Sequence, residues 1–200
     1  MTAWILLAVA LVFAVLLVVG LQEHARTFHA SIVKLQLAGT GHAVGTLLDR
    51  LDDADRDGLP RALRIDDTLI VPGCTGLLVS LCALSVVWVR AAAGGALEVG
   101  GNALALASAV LAVAAGILDL LENRALRRVL AAWQRIPIPT APDETEAAGR
   151  QEQRRTQVAA IEPASRTARL VTLWKLRLLA LVLAWLAVAM VIAATDALSR

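Results

Sequence analysis

The chain has 200 residues, of which 58% are hydrophobic and 18% charged, with a formal net charge of +2. Soluble domains usually contain about 45–50% apolar residues, so this composition excludes an ordinary soluble domain and favours a membrane protein of a single domain. The small net charge, with arginines beside apolar segments rather than on a basic face, excludes a nucleic-acid-binding surface.

Four segments are apolar and long enough to cross a bilayer as helices, which takes about 20 residues. The sequence therefore predicts an all-α membrane protein in which residues 1–200 form one membrane domain. The predicted transmembrane helices cover about residues 3–21, 68–89, 100–121 and 172–195. A signal peptide is the alternative for the first segment, but that segment lacks a basic start and a small-residue cleavage site.

The segment after the first transmembrane helix has a mixed pattern. Over residues 23–53, apolar side chains recur at near-helical spacing between polar ones. This spacing predicts an amphipathic helix at the membrane interface, broken around Gly39 and Gly41. A simple extension of the first transmembrane helix is the alternative.

Residues 53–58 read D-A-D-R-D-G, which matches the opening of a calcium loop. Such a loop needs a bidentate glutamate at its twelfth position, and this chain has Arg64 there. Asp53, Asp55 and Asp57 are therefore a weak match to a calcium site, and an acidic turn before a new helix explains them equally well. We expect no other metal site and no cofactor.

Basic residues are distributed unequally between the predicted loops. Six lie in the first loop, residues 22–67, and nine in the third, residues 124–170, whereas the second loop and the termini hold only Arg90 and Arg200. The positive-inside rule therefore places both basic loops in the cytoplasm and both termini outside, and we expect the membrane to be a cytoplasmic (inner) membrane. Such loops favour anionic lipids on the cytoplasmic side as partners, and a protein partner or a homo-oligomer is compatible with the pattern.

The third and fourth transmembrane helices are both predicted to extend into the cytoplasm. The helical pattern of the third continues through Trp133, and that of the fourth starts near Pro163. Between them we predict a mobile linker over about residues 136–160, because this stretch begins with several prolines and continues with polar and charged residues.

Three polar residues, Asp119, Glu122 and Asn123, end the third apolar segment. At about 100° per residue they share one helix face with small side chains that allow close helix packing. This predicted packing stripe consists of Ser108, Ala112 and Gly116.

The predicted transmembrane topology brings two further charged residues, Asp67 and Lys175, to the level of these three. The predicted polar cluster therefore consists of Asp67, Asp119, Glu122, Asn123 and Lys175. Charges at such depth are expensive unless they are paired or hydrated. The cluster is accordingly either an ion-paired structural lock or a ligand site.

Four short stretches resemble motifs of a bacterial family of small, uncharacterised integral membrane proteins with four helices. The stretches are Leu35-Gln-Leu-Ala-Gly-Thr40, Asp67-Thr-Leu-Ile-Val-Pro-Gly-Cys74, Asp119-Leu-Leu-Glu-Asn123 and Ala168-Arg-Leu-Val-Thr-Leu-Trp-Lys175. The resemblance implies a four-helix membrane fold in which the five residues of the polar cluster act as a set, and it implies no activity. Gln36 and Cys74 depart from the family pattern, which has glutamate and tyrosine there.

Sequence motifs for catalysis, phosphate binding and metal binding would each indicate a function. No nucleophile–base arrangement, phosphate-binding glycine loop or metal-binding histidine pair is apparent. The sequence therefore favours a non-enzymatic membrane protein whose polar cluster locks the bundle or receives a lipid head group or a protein partner. The alternatives are a small solute or ion-coupled transporter, or a membrane-embedded enzyme that acts on a lipid head group.

Overall fold

A computed structural model of the chain describes residues 2–29, 32–92, 96–135 and 147–199. Within these ranges the regular secondary structure is helical and includes no strand. In chain order the elements are α1, Thr2–Thr27; α2, Ile32–Ala38; α3, Gly41–Asp49; α4, Asp53–Ile65; a π-helical segment, Asp66–Ile70; α5, Val71–Ala92; α6, Ala96–Gln134; and α7, Ala147–Ser199.

Four helical stretches are long and apolar enough to cross a membrane: Ala3–Thr27, Asp53–Ala92, Val99–Gln134 and Gln151–Leu198. For the described residues the predicted all-α class is therefore confirmed, as is the presence of four helices that are long and apolar enough to cross a membrane. Bulky side chains such as Val110, Val113 and Ile117 of α6 are 45–60% exposed, as expected of a surface that lipid solvates.

The transmembrane half of the molecule is arranged around α5, which contacts α1, α6 and α7. A hydrogen bond of 3.1 Å joins the buried indole nitrogen of Trp185 to the hydroxyl of Ser85. The apolar core of this half consists of Leu78, Cys82, Val89, Ala105, Ala112, Val182, Trp185, Leu186 and Ala189.

A second apolar core lies in the half formed by α2, α3, α4, the C-terminal part of α6 and the N-terminal part of α7. This core consists of Phe28, Leu35, Val44, Leu48, Leu59, Ala62, Leu63, Ala125, Leu126, Val129, Leu130, Ile161 and Ala168. Exposed arginines, among them Arg61, Arg64 and Arg128, cover the outside of this half. A charged surface is costly in the hydrocarbon core of a bilayer, so we call this part the extramembrane half.

The predicted amphipathic segment forms two helices, α2 and α3, with the chain broken where the sequence indicated. Gly39 has φ +70°, a left-handed conformation that glycine adopts without steric cost and that commonly ends a helix. Thr40 then caps α3, because its hydroxyl accepts a hydrogen bond of 3.2 Å from the Ala43 N–H. The location of these helices at a membrane interface stays a prediction.

The aspartates of the calcium-loop match begin helix α4. Asp52 caps the helix, since its Oδ1 accepts from the Asp55 N–H at 2.7 Å. Acidic residues in a first helical turn interact favourably with the helix dipole, so Asp53 and Asp55 have a structural reason to be acidic. The described residues contain no group of three or more His, Cys, Asp or Glu side chains that could hold a metal ion, and a calcium role for this segment stays a prediction.

The predicted linker over about residues 136–160 needs a correction. Residues 136–146 lie outside the described part of the chain, whereas residues 147–160 belong to helix α7. The reason is tertiary: Gln157 is 1% exposed, and its amide donates to the Trp133 carbonyl at 2.7 Å. The polar composition of this stretch therefore describes the solvated face of a helix that is packed on its other face.

Candidate functional site

Polar side chains separate the two apolar cores on α6, on α7 and on the continuous α4–α5 stretch. On α6 Asp119, Glu122 and Asn123 lie between Ala112 of the transmembrane core and Ala125 of the extramembrane core, and on α7 the polar residues lie between Ala168 and Val182. Arg127, one turn further along α6, joins them through its hydrogen bond to Asp67. We call this set the polar layer. It consists of Asp66, Asp67, Asp119, Glu122, Asn123, Arg127, Thr172 and Lys175.

The depth of the polar layer follows from helix lengths. Along the three helices, Asp67 lies 25 residues from Ala92, Asp119 lies 23 residues from Ala96, and Lys175 lies 24 residues from Ser199. At 1.5 Å per residue these stretches span about 34–38 Å, more than the roughly 30 Å of a hydrocarbon core. These lengths predict that the polar layer lies at one edge of the membrane.

Lys175 of α7 connects to two carboxylates of α6. Its Nζ lies 2.6 Å from Oδ1 of Asp119 and 2.7 Å from Oε2 of Glu122. The two acids are one helical turn apart, so one ammonium group can reach both. The second oxygen of Glu122 accepts from the hydroxyl of Thr172, so both oxygens of this fully buried carboxylate have partners on α7.

The next turn of α6 connects to the π-helical segment. The amide of Asn123, which is fully buried, donates to Oδ2 of Asp66 at 2.7 Å and to Oδ1 of Asp67 at 2.8 Å. Arg127, four residues further on, donates to Oδ2 of Asp67 at 2.5 Å and to the Leu63 carbonyl at 2.9 Å. Helix α6 is therefore bonded to α7 by one turn and to the α4–α5 stretch by the next.

The π-helical segment explains how the Asn123 amide can donate to two adjacent aspartates. Pro72, just after the segment, has no N–H and its ring would clash with the carbonyl four residues earlier in an α-helix. The wider turn, in which the Val71 N–H donates to the Asp66 carbonyl, accommodates the proline. It also reduces the angle between successive side chains, so Asp66 and Asp67 point in closer directions than in an α-helix.

The predicted packing stripe lies inside the bundle. Ser108 and Ala112 are 5% and 1% exposed, and Gly116 approaches α5 so closely that a Cβ there would collide with the Thr75 hydroxyl. This close approach positions α6, and therefore Asp119 one turn later, beside its neighbours.

The structure places the five residues of the predicted polar cluster at one level of the bundle, in two hydrogen-bonded groups. Lys175, Asp119 and Glu122 form one group, and Asn123 with Asp67 belongs to the other. Sequence reasoning missed Asp66, Arg127 and Thr172. Arg127 and Thr172 were detectable, because they lie four and three residues from Asn123 and Lys175 on the same helix faces.

The charges of the polar layer do not balance. Four carboxylates (Asp66, Asp67, Asp119 and Glu122) and two cations (Arg127 and Lys175) give a formal charge of −4 + 2 = −2. Charge-assisted hydrogen bonds of this kind join helices firmly, and the excess of carboxylates stabilises an added proton or cation.

The four helices that are long and apolar enough to cross a membrane support a multi-pass α-helical membrane protein. No protein-family model, curated protein or solved structure matches the chain. The functional interpretation therefore depends on the geometry of the polar layer.

Proposed function

We propose that the protein is a non-enzymatic membrane protein in which the polar layer locks the transmembrane half to the extramembrane half. One observation carries this proposal: Lys175 bridges Asp119 and Glu122 across two helices, and the Glu122 side chain has no exposed surface. A ligand site would leave such groups directed into a cavity, whereas here they contact each other.

The energetics of buried ion pairs support a lock. An isolated charge in a low-dielectric region costs several kcal/mol, and removing one partner of a buried pair typically costs about 3–5 kcal/mol. Lys175, with a side chain 12% exposed, serves two carboxylates at once. Its loss would leave both without their cation, so the bundle would open or take up water at this level.

We further propose that the extramembrane half lies in the cytoplasm of a bacterial cell and that both termini lie outside. The unequal distribution of basic residues supports this orientation. Exposed arginines of the extramembrane half would then face anionic lipid head groups, at about 1 kcal/mol for each residue near the surface. Labelling of single cysteines placed at Arg61 and at Arg90 with an impermeant maleimide on intact cells tests this orientation: only the second should react.

The lock is tested by Lys175→Met against a matched control, Arg177→Met. Arg177 lies two residues further along α7 but is exposed, with its guanidinium 5.2 Å from the ring centroid of Trp174. We expect Lys175→Met to lower the thermal unfolding midpoint in detergent and to increase trypsin cleavage in the extramembrane half. Equal stability of the two variants would exclude the lock.

The excess negative charge favours a second candidate, a small ion-coupled transporter. A half-buried layer with a formal charge of −2 can bind a proton or a cation, which an ion-coupled transporter requires. Proteoliposomes loaded with a pH-sensitive dye test this role, with Glu122→Gln as the variant expected to abolish flux. Proton flux no greater than that of empty liposomes, across imposed pH gradients, would remove this candidate.

A further inference from the structure

We propose that a cavity in the extramembrane half binds a small organic anion that carries a flat ring. The cavity has a volume of about 580 Å³ and lies between α3, the end of α6 and the start of α7. This volume is within the range of about 300–1,000 Å³ that is usual for small-molecule sites. The lining contains no residue of the polar layer, so the proposal is independent of the lock.

The apolar part of the lining is built around Trp133. Its indole lies against the backbone of Gly45, where a Cβ would be only 3.0 Å from the ring. Val158 and Ala159 of α7 continue the apolar surface. A flat ring has the right shape for this surface, because aromatic groups stack in offset or edge-to-face arrangements with an indole.

The backbone of Trp133 is held by a partly buried hydrogen bond. The Gln157 amide, which is 1% exposed, donates to the Trp133 carbonyl at 2.7 Å. This bond attaches the end of α6 to α7 at the edge of the cavity. The site is therefore formed without a ligand, as small-molecule sites usually are.

The acidic side chains of the lining already have partners. Asp49 forms an ion pair with Arg154. Glu162 accepts from the Gly41 N–H and from Nε of Arg166, the latter at 2.7 Å. These carboxylates are therefore neutralised within the protein and do not select a cationic ligand.

The charge that remains available to a ligand is positive. The lining contains Arg50, Arg154 and Arg155 against Asp49 and Glu162, a formal charge of 3 − 2 = +1. Arg155 contacts Glu152 at 3.7 Å, but these side chains are 71% and 74% exposed, so solvent weakens the pair. A guanidinium binds carboxylate or phosphate through two parallel hydrogen bonds, which identifies the charged part of the ligand.

The proposal is tested by calorimetric titration of the full chain in detergent micelles with 1-naphthyl phosphate, and with inorganic phosphate as the probe without a ring. We expect saturable binding of one naphthyl phosphate per chain, about tenfold tighter than binding of phosphate. Arg155→Gln and Trp133→Leu should each weaken naphthyl phosphate binding about tenfold. Arg128→Gln, which removes an exposed arginine of α6 that lines a different cavity, should leave it unchanged.

Trp133→Phe separates loss of the ring from loss of the fold, because it keeps an aromatic surface. It should retain binding within about threefold of the original chain. Three outcomes would overturn the proposal: no saturable heat with the original chain, equal affinity for naphthyl phosphate and phosphate, or equal weakening by Arg128→Gln and Arg155→Gln. The last result would show attraction to the general surface charge and not to this cavity.

Discussion

Lys175 and Glu122 form an ion pair with 2.7 Å between Nζ and Oε2, and the Glu122 side chain has no exposed surface. The lysine lies on α7 and the glutamate on α6, the two helices that contact each other most extensively. Because the pair lies where the transmembrane core ends and the extramembrane core begins, it couples the packing of both halves. This relationship is the basis of the proposed lock.

Asn123→Leu should destabilise the protein by about 1–3 kcal/mol, because half-buried carboxylates lose a hydrogen-bond donor. The substitution removes the amide that donates to both Asp66 and Asp67 while conserving approximate volume. The free energy of unfolding, from denaturant titration in mixed micelles, measures the effect. Arg124→Gln, at the exposed neighbouring position, is the control and should change it by less than about 0.5 kcal/mol.

Gly116→Ala should lower the free energy of unfolding by about 1–3 kcal/mol, because overpacking displaces neighbouring groups. The new Cβ would meet the Thr75 hydroxyl, and the second substitution Thr75→Ala should restore part of the loss. Gly100→Ala is the matched control on the same helix, since nothing lies within 4 Å of a Cβ there. Equal effects of the two alanines would refute the close approach of α5 and α6.

Gly39→Ala should destabilise the extramembrane half by about 1–2 kcal/mol, the cost of a left-handed conformation in a residue with a Cβ. The new methyl group would also meet the side chain of Arg169. Faster amide hydrogen exchange in α2 and α3 would report the change. Gly149→Ala, in a helical position with open space around it, is the control and should leave exchange as slow as in the original chain.

The long helices and the level of the polar cluster were predictable from the sequence, because hydrophobic length and helical periodicity determine them. The same periodicity placed Gly116 and Asp119 on the inner face of α6. These predictions needed no knowledge of which helices are neighbours.

The features that could not be predicted from the sequence depend on tertiary contacts. The helix over residues 147–160 has a polar composition and forms because Gln157 packs against the end of α6. Asp66 joins Asp67 through a π-helical turn next to Pro72, which no hydrophobic pattern reveals. The pairing of Lys175 with α6, and of Asn123 with the π-helical segment, required the arrangement of helices in space.

A double-mutant cycle on Glu122→Gln and Lys175→Met tests the lock most directly. Free energies of unfolding are measured for the original chain, both single variants and the double variant in the same mixed micelles. We predict that the double variant loses less stability than the sum of the single losses, by about 1–3 kcal/mol, as expected for residues in one ion-paired network. Losses that add within about 0.5 kcal/mol would contradict the lock, because they would show that the two side chains stabilise the protein independently.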